Sequence, residues 1–149
     1  MREYLFRGKR VDGYGWIYGG LIYDEAEHNT PRIVIGREYS TGTFFNAQAP
    51  RVMYDTVGEF TGLYDKNNNK IFEGDIVNWY GEILVVKFGE HNVVEQSYEI
   101  GNHFRTVDKF GWFGERQNCF ISKGIDLILL KAGEVIGNIY DNPELLEEK

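Results

Sequence analysis

The chain has a single cysteine, Cys119, in 149 residues. One thiol excludes an internal disulfide and is compatible with a reducing compartment. Long apolar runs are missing too: no stretch approaches the ~20 residues of a membrane span. Arg2, Arg7, Lys9 and Arg10 interrupt the start, so no signal-peptide pattern forms there. These absences predict a soluble protein of the cytoplasm with no membrane partner. No long segment repeats apolar residues every 3.6 positions, which excludes a helical bundle. Positive charge is also short. The net charge is −7, with seven Lys/Arg against seven Asp/Glu in residues 1–55 and nine against sixteen in residues 56–149. A generic polyanion binder needs clustered Lys and Arg, so nucleic acid is an unfavoured partner and a basic patch is possible only in the first half.

What the chain has in excess is aromatic residues, at 15%, together with 18 Gly and only three Pro. Tyr, Phe and Trp favour strands and Gly ends them, so the composition predicts an all-β fold. The pattern along the chain agrees. "EYLFRG" alternates, and Asp12-Gly13 signals a hairpin. In "YGWIYGGLIYD", Tyr14, Trp16 and Tyr18 share one face while Gly15, Ile17 and Gly19 share the other. Small residues opposite aromatics predict a strand whose glycine face lies close to another backbone or bends sharply. "RIVIG", "TFF", "RVMYDTVGEF", "DIVNWY", "EILVVKF", "VVEQSYEI", "KFGWFG", "CFI", "DLILLK" and "EVIGNIY" are further strand candidates. "DNPELLEEK" predicts a short C-terminal helix with Asn142 as N-cap and Pro143 in its first position.

Asp65, Glu73 and Asp75 lie within eleven residues of one another, a spacing that raises acid–base or metal chemistry. The turn reading competes with it. Gly62 and Gly74 supply backbone angles that other residues resist, and Asp65 and Asp75 accept backbone amides as Asp does at turns. An EF-hand loop counted from Asp65 would need Gly at position six and Glu at twelve; the chain has Lys70 and Ile76. His28, His91 and His103 have no metal-ligand spacing, and His28 and His91 both read as polar-loop residues. Cys119 alternates in phase with Ile121 and reads as a packed strand residue; a Cys119–His103 dyad rests on residue type alone. No catalytic, metal-binding or cofactor-binding residue is therefore assigned. The remaining candidate is an interaction face of Arg7, Lys9, Arg10, Tyr14, Trp16 and Tyr18, since basic and aromatic residues interleaved on strands can stack bases and hold phosphates. Against it stands a plain alternative, in which the three aromatics line the inside of a sheet.

"TVGEFTGLYDKNNNKIFEGDIV" (Thr56–Val77) and "EVIGNIYDNPELL" (Glu134–Leu146), in that order after the opening "MREYLFRG", resemble the signature runs of the YopX family of phage and prophage proteins. The family usually opens "FRAWD" where this chain reads "FRGKR", so contacts made there differ. Residues 89–130 match none of its runs. The resemblance implies a mostly β protein with an SH3-like barrel element, encoded by a phage or prophage and acting in the bacterial cytoplasm. It implies no reaction, catalytic residue or cofactor.

Together these readings predict one all-β domain. An SH3-like barrel element starts at Thr56 and runs to about Lys131, residues 1–55 pack as a second small β layer, and a closing strand (Glu134–Tyr140) and short helix follow. The expected role is a non-catalytic protein-interaction module that forms a homo-oligomer or binds a phage or host protein. A nucleic-acid binder using the first half is the alternative. A hydrolase using Asp65, Glu73 or Asp75 is the third.

Overall fold

The computed structural model of the chain describes residues 3–38, 44–97 and 103–147. The chain divides into two compact units, Met1–Phe60 and Thr61–Lys149. Both are built of antiparallel strands, and the fold is all-β. Among the described residues no helix is long and apolar enough to cross a membrane.

In the first unit, β1 (Phe6–Lys9) pairs with β2 (Trp16–Asp24), placing Phe6 opposite Gly19 and Lys9 opposite Trp16. The turn between them forms because the Asp12 side chain accepts the Tyr14 amide and Gly13 adopts φ +84°. β3 (Thr30–Glu38) and β4 (Phe44–Gln48) add on one side and β5 (Gly58–Tyr64) on the other, giving the order β4-β3-β2-β1-β5. Alternation on β2 sends Ile17 inward, where it packs with Ile33 and Val52, with Phe6, Leu21 and Val57 around them. Gly19 is obligatory for close packing, because a Cβ there would collide with the Val34 carbonyl oxygen. Arg32 fastens the η1 turn (Glu25–Glu27) to β2, with Asp24 at 3.0 Å and Glu27 at 2.6 Å.

The second unit begins as β5 passes Phe60. β6 (Lys70–Phe72), β7 (Asp75–Trp79), β8 (Glu82–Ser97), β9 (His103–Arg116), β10 (Gly124–Asp126) and β11 (Glu134–Asn138) follow, and five of these form a sheet of order β10-β9-β8-β7-β11. β7 and β8 join through Tyr80 and Gly81, both at positive φ, the geometry that matches strand twist in a two-residue hairpin. The core is Ile71, Val77, Leu84, Val86, Ile125 and Leu130, with Trp79, Trp112 and Val135 packed against it.

Several sequence expectations change here. "EILVVKF" and "VVEQSYEI" are not two strands but one, β8, described to Ser97; residues 98–102 lie outside the described residues, as do 39–43 and Arg2. His91 is therefore a buried strand residue rather than a loop residue. "CFI" is irregular chain, with Phe120 and Ile121 exposed, because Arg116 closes β9 by pairing with Lys123 across that loop. Of "DLILLK" only Asp126 lies in a strand, as the last residue of β10; the rest is a 3-10 helix, Leu127–Ala132, that buries Leu130 against the core. "RVMYDTVGEF" is broken by a 3-10 turn, Tyr54–Thr56. The closing strand stops at Asn138. Beyond it the predicted helix is a single 3-10 turn, Pro143–Leu146, and the Asn142 side chain caps nothing there: it accepts the Asn138 amide instead.

Candidate interaction surface

The acidic run resolves into two separate turn clamps. Asp65, 6% exposed, accepts the Asn67 and Asn69 amides on Oδ1 and the Val135 amide on Oδ2, all at 2.9 Å. Burial works against its ionisation, but those amide dipoles outweigh burial and hold its carboxyl below the usual value. Gly62 takes φ +89° ahead of this hairpin. Asp75 is buried and accepts the Phe72 amide at 2.8 Å across Gly74, whose φ is +85°. Glu73 is half-buried between them. Among the described residues no group of three or more His, Cys, Asp or Glu side chains is placed to hold a metal ion.

The N-terminal stripe faces outward, contrary to the inner-face alternative. Tyr14 is 81% exposed and Tyr18 is also exposed, while Ile17 between them is buried. The basic residues do not gather beside them as free cations. Arg7 is buried with its guanidinium 4.8 Å from the Trp16 ring centre, and Arg10 is chelated by Asp12 at 2.6 Å. Lys9 is half-buried, and its amide donates to Thr56 Oγ1.

Sequence reading placed strand candidates in β8 and β9 but missed that they pair along their length as one ribbon. β7 pairs with β8 along Glu82–Val85, and β10 pairs with β9 along Phe113–Glu115. Among the described residues, the two strands pair only with each other from Phe88↔Trp112 to Ser97↔His103. On one face of this ladder come Lys87↔Phe113, Gly89↔Gly111 and His91↔Lys109. A straight ribbon would hold His91 and Phe113 roughly 13 Å apart along the strands. Their rings instead stack at 4.2 Å and 11°. The glycine pair, at φ +148° and +144°, makes this possible by folding the ribbon back on that face. Nδ1–H of His91 donates to the Gly89 carbonyl at 3.0 Å, and Asn92 Oδ1 accepts the Lys123 amide at 2.6 Å.

The other face continues the core outward. Leu84 and Val86 are fully buried, Trp112 is half-buried, and then Phe88 (52%) and Phe110 (71%) stand in solvent. Phe88 meets Phe110 and Trp112 edge-on at 5.2 and 5.0 Å. Beside them an open cavity of about 460 Å³ is lined by Glu90, Asp108 and Phe110 together with Lys109 and Lys123. A scan for a break in the "VVKFGEHNVV" run at Gly89 and its partner "KFGWF" at Gly111 is the signal that would have found this ribbon: two glycines, each flanked by aromatics and strand formers.

The thiol and histidines do not assemble. His103 opens β9 and Cys119 follows its far end. The Ser122 and Ile121 amides lower the Cys119 pKa by favouring its thiolate.

An antiparallel β scaffold with carboxylates committed to turns and an aromatic ribbon left uncovered defines a class of small β proteins whose outstanding surface is apolar. Residues 5–147 match the family model described as YopX protein, and the chain belongs to the YopX family. No curated protein matches. Among solved structures, protein EF1440 from Enterococcus faecalis is similar at 23% identity over 99% of this chain and 100% of that one, with a TM-score of 0.44.

Proposed function

We propose that this YopX-family chain is a non-catalytic protein-interaction module, encoded by a phage or prophage and working in the bacterial cytoplasm, that engages a phage or host protein through its β8–β9 ribbon. The observation carrying this reading is the emergence of the core face into solvent at Phe88 and Phe110. Those rings and the edge of Trp112 offer on the order of 250 Å². A standard interface takes ~800 Å² per side, so they form the centre of a contact rather than all of it. The chain also self-associates in this reading, because β4 and β10 stand at the ends of their strand orders, and an edge strand is a template for pairing with a second copy.

The outward Tyr14 and Tyr18 favour nucleic-acid binding as a second reading. It is the weaker one, since Arg7 is buried and Arg10 is neutralised by Asp12. The discriminating experiment is an affinity pull-down from lysogenic or infected host cells, comparing the parent chain with Phe88→Ser/Phe110→Ser. A partner retained by the parent and lost by the variant is expected. Equal retention refutes the ribbon as the contact. Light scattering that stays at 17.3 kDa over a wide concentration range refutes self-association.

A further inference from the structure

We infer that the cavity beside Phe110 receives an arginine side chain from a partner polypeptide; this rests on the interaction-module reading and names the chemistry of the partner at that surface. The first support is charge. Glu90 and Asp108 line the cavity and form no ion pair among the described residues. Lys109, also in the lining, is already held by Glu95 at 2.9 Å and Asp126 at 3.1 Å. With Lys109 thus compensated, two lining carboxylates, Glu90 and Asp108, stand against one ammonium, that of Lys123, so the site favours a cation. An anionic ligand would meet the two uncompensated carboxylates first.

The second support is shape. Glu90 lies directly opposite Phe110 across the ladder, and Asp108 sits two residues along β9 from that ring. Phe110 is 71% exposed, and its one described ring contact is edge-on with Phe88. A planar guanidinium can stack on such a ring and direct its forked N–H groups to a flanking carboxylate, which an ammonium cannot do in the same plane. Of the nearby lysines, Lys123 turns its Nζ to 5.9 Å from the Phe113 ring, and Lys87 is paired with Glu115 at 2.8 Å. The cavity volume of about 460 Å³ exceeds what one side chain fills, so flanking peptide enters with it.

The test is fluorescence anisotropy with a labelled arginine–glycine repeat peptide and its citrulline counterpart, titrated with the full chain. The arginine peptide binds and weakens as salt rises, and the citrulline peptide does not bind. Glu90→Gln/Asp108→Asn lowers affinity by about tenfold or more, as loss of charge-assisted contacts predicts. Glu25→Gln, which removes an exposed carboxylate on the other unit, leaves binding unchanged. Equal binding of the citrulline peptide, no binding of the arginine peptide, or equal loss in Glu25→Gln overturns the proposal. The substituted residues are exposed or solvent-facing, and circular dichroism of each variant checks its fold. If the arginine peptide fails while the pull-down still depends on Phe88 and Phe110, the interaction-module reading stands and the arginine site alone falls.

Discussion

Replacing Asp65 by alanine should unfold the second unit at markedly lower denaturant than the parent. The carboxylate accepts three backbone amides, from Asn67, Asn69 and Val135, and Asn69 Nδ2 adds a fourth contact at 3.4 Å. Hydrogen bonds to a charged acceptor contribute roughly 1.5–3 kcal/mol each. The Asn67 and Asn69 residues are exposed, so their amides regain water. Val135 is half-buried and packed on the core, so its amide regains little. The net loss is about 3 kcal/mol, a large share of an ordinary domain's 5–15 kcal/mol. Asp65→Asn keeps one acceptor and turns the other into a donor facing an amide, for a loss of about half that. The effect must depend on pH. Because the folded carboxyl is held below its usual value, its contribution is complete above the unfolded value of ~3.9 and is lost as pH falls through the folded one. The gap between parent and Asp65→Ala therefore narrows on going from neutral pH to about pH 2.5. Urea unfolding followed by the fluorescence of Trp79 and Trp112 reads this unit. A gap at neutral pH under about 0.5 kcal/mol, or one that does not narrow in acid, refutes the clamp.

Gly74→Val should destabilise by about 1–3 kcal/mol or more, from strain at positive φ and from a Cβ placed 3.0 Å from the Tyr140 ring; Asp75→Asn should cost about 1 kcal/mol, because an amide oxygen still accepts from Phe72. Both are read by the same denaturation. Gly111→Ala should strain the ribbon by about 1–2 kcal/mol and separate His91 from Phe113, seen as loss of the ring-current shift on the His91 protons by NMR. Duplex DNA should not bind tightly near physiological salt, given the net charge of −7 and the sequestered Arg7 and Arg10; submicromolar anisotropy binding abolished by Arg7→Ala/Arg10→Ala would reverse that ranking.

The turns were the legible part of the sequence. Asp12-Gly13, Asp65 with its asparagines, and Gly74 are local signals whose turns close within a few residues, while the Val135 amide reaches Asp65 from far along the chain. The close approach at Gly19 was legible for the same reason: the glycine sits in a clean two-residue alternation. What was hidden depends on distant partners. "DLILLK" has strand composition, yet Leu130 is drawn into the core by a 3-10 turn, a tertiary contact overriding propensity. His91 looked like a loop residue because Gly, Glu, His and Asn follow one another, and only pairing with Lys109 across the ribbon makes that run a strand. Whether Tyr14 and Tyr18 face in or out is decided by which side of β2 the cluster around Ile33 and Val52 occupies, and alternation alone treats the two sides alike.

The facing glycines of the ribbon also act on the choice of partners within the hairpin. A long two-stranded ribbon carrying Val, Phe and Lys on both strands offers many nearly equivalent pairings, and a shift of one residue would turn every side chain to the opposite face. Only the observed alignment sets Gly89 against Gly111, so that both strands can adopt positive φ at the same level. Slipped by one residue, Gly89 would face Phe110 or Trp112 instead of Gly111, the fold-back would fail, and His91 would lose Phe113. The bend thus serves as a register check: only the correctly zipped ribbon can close on itself, and only that ribbon presents Phe88 and Phe110 together.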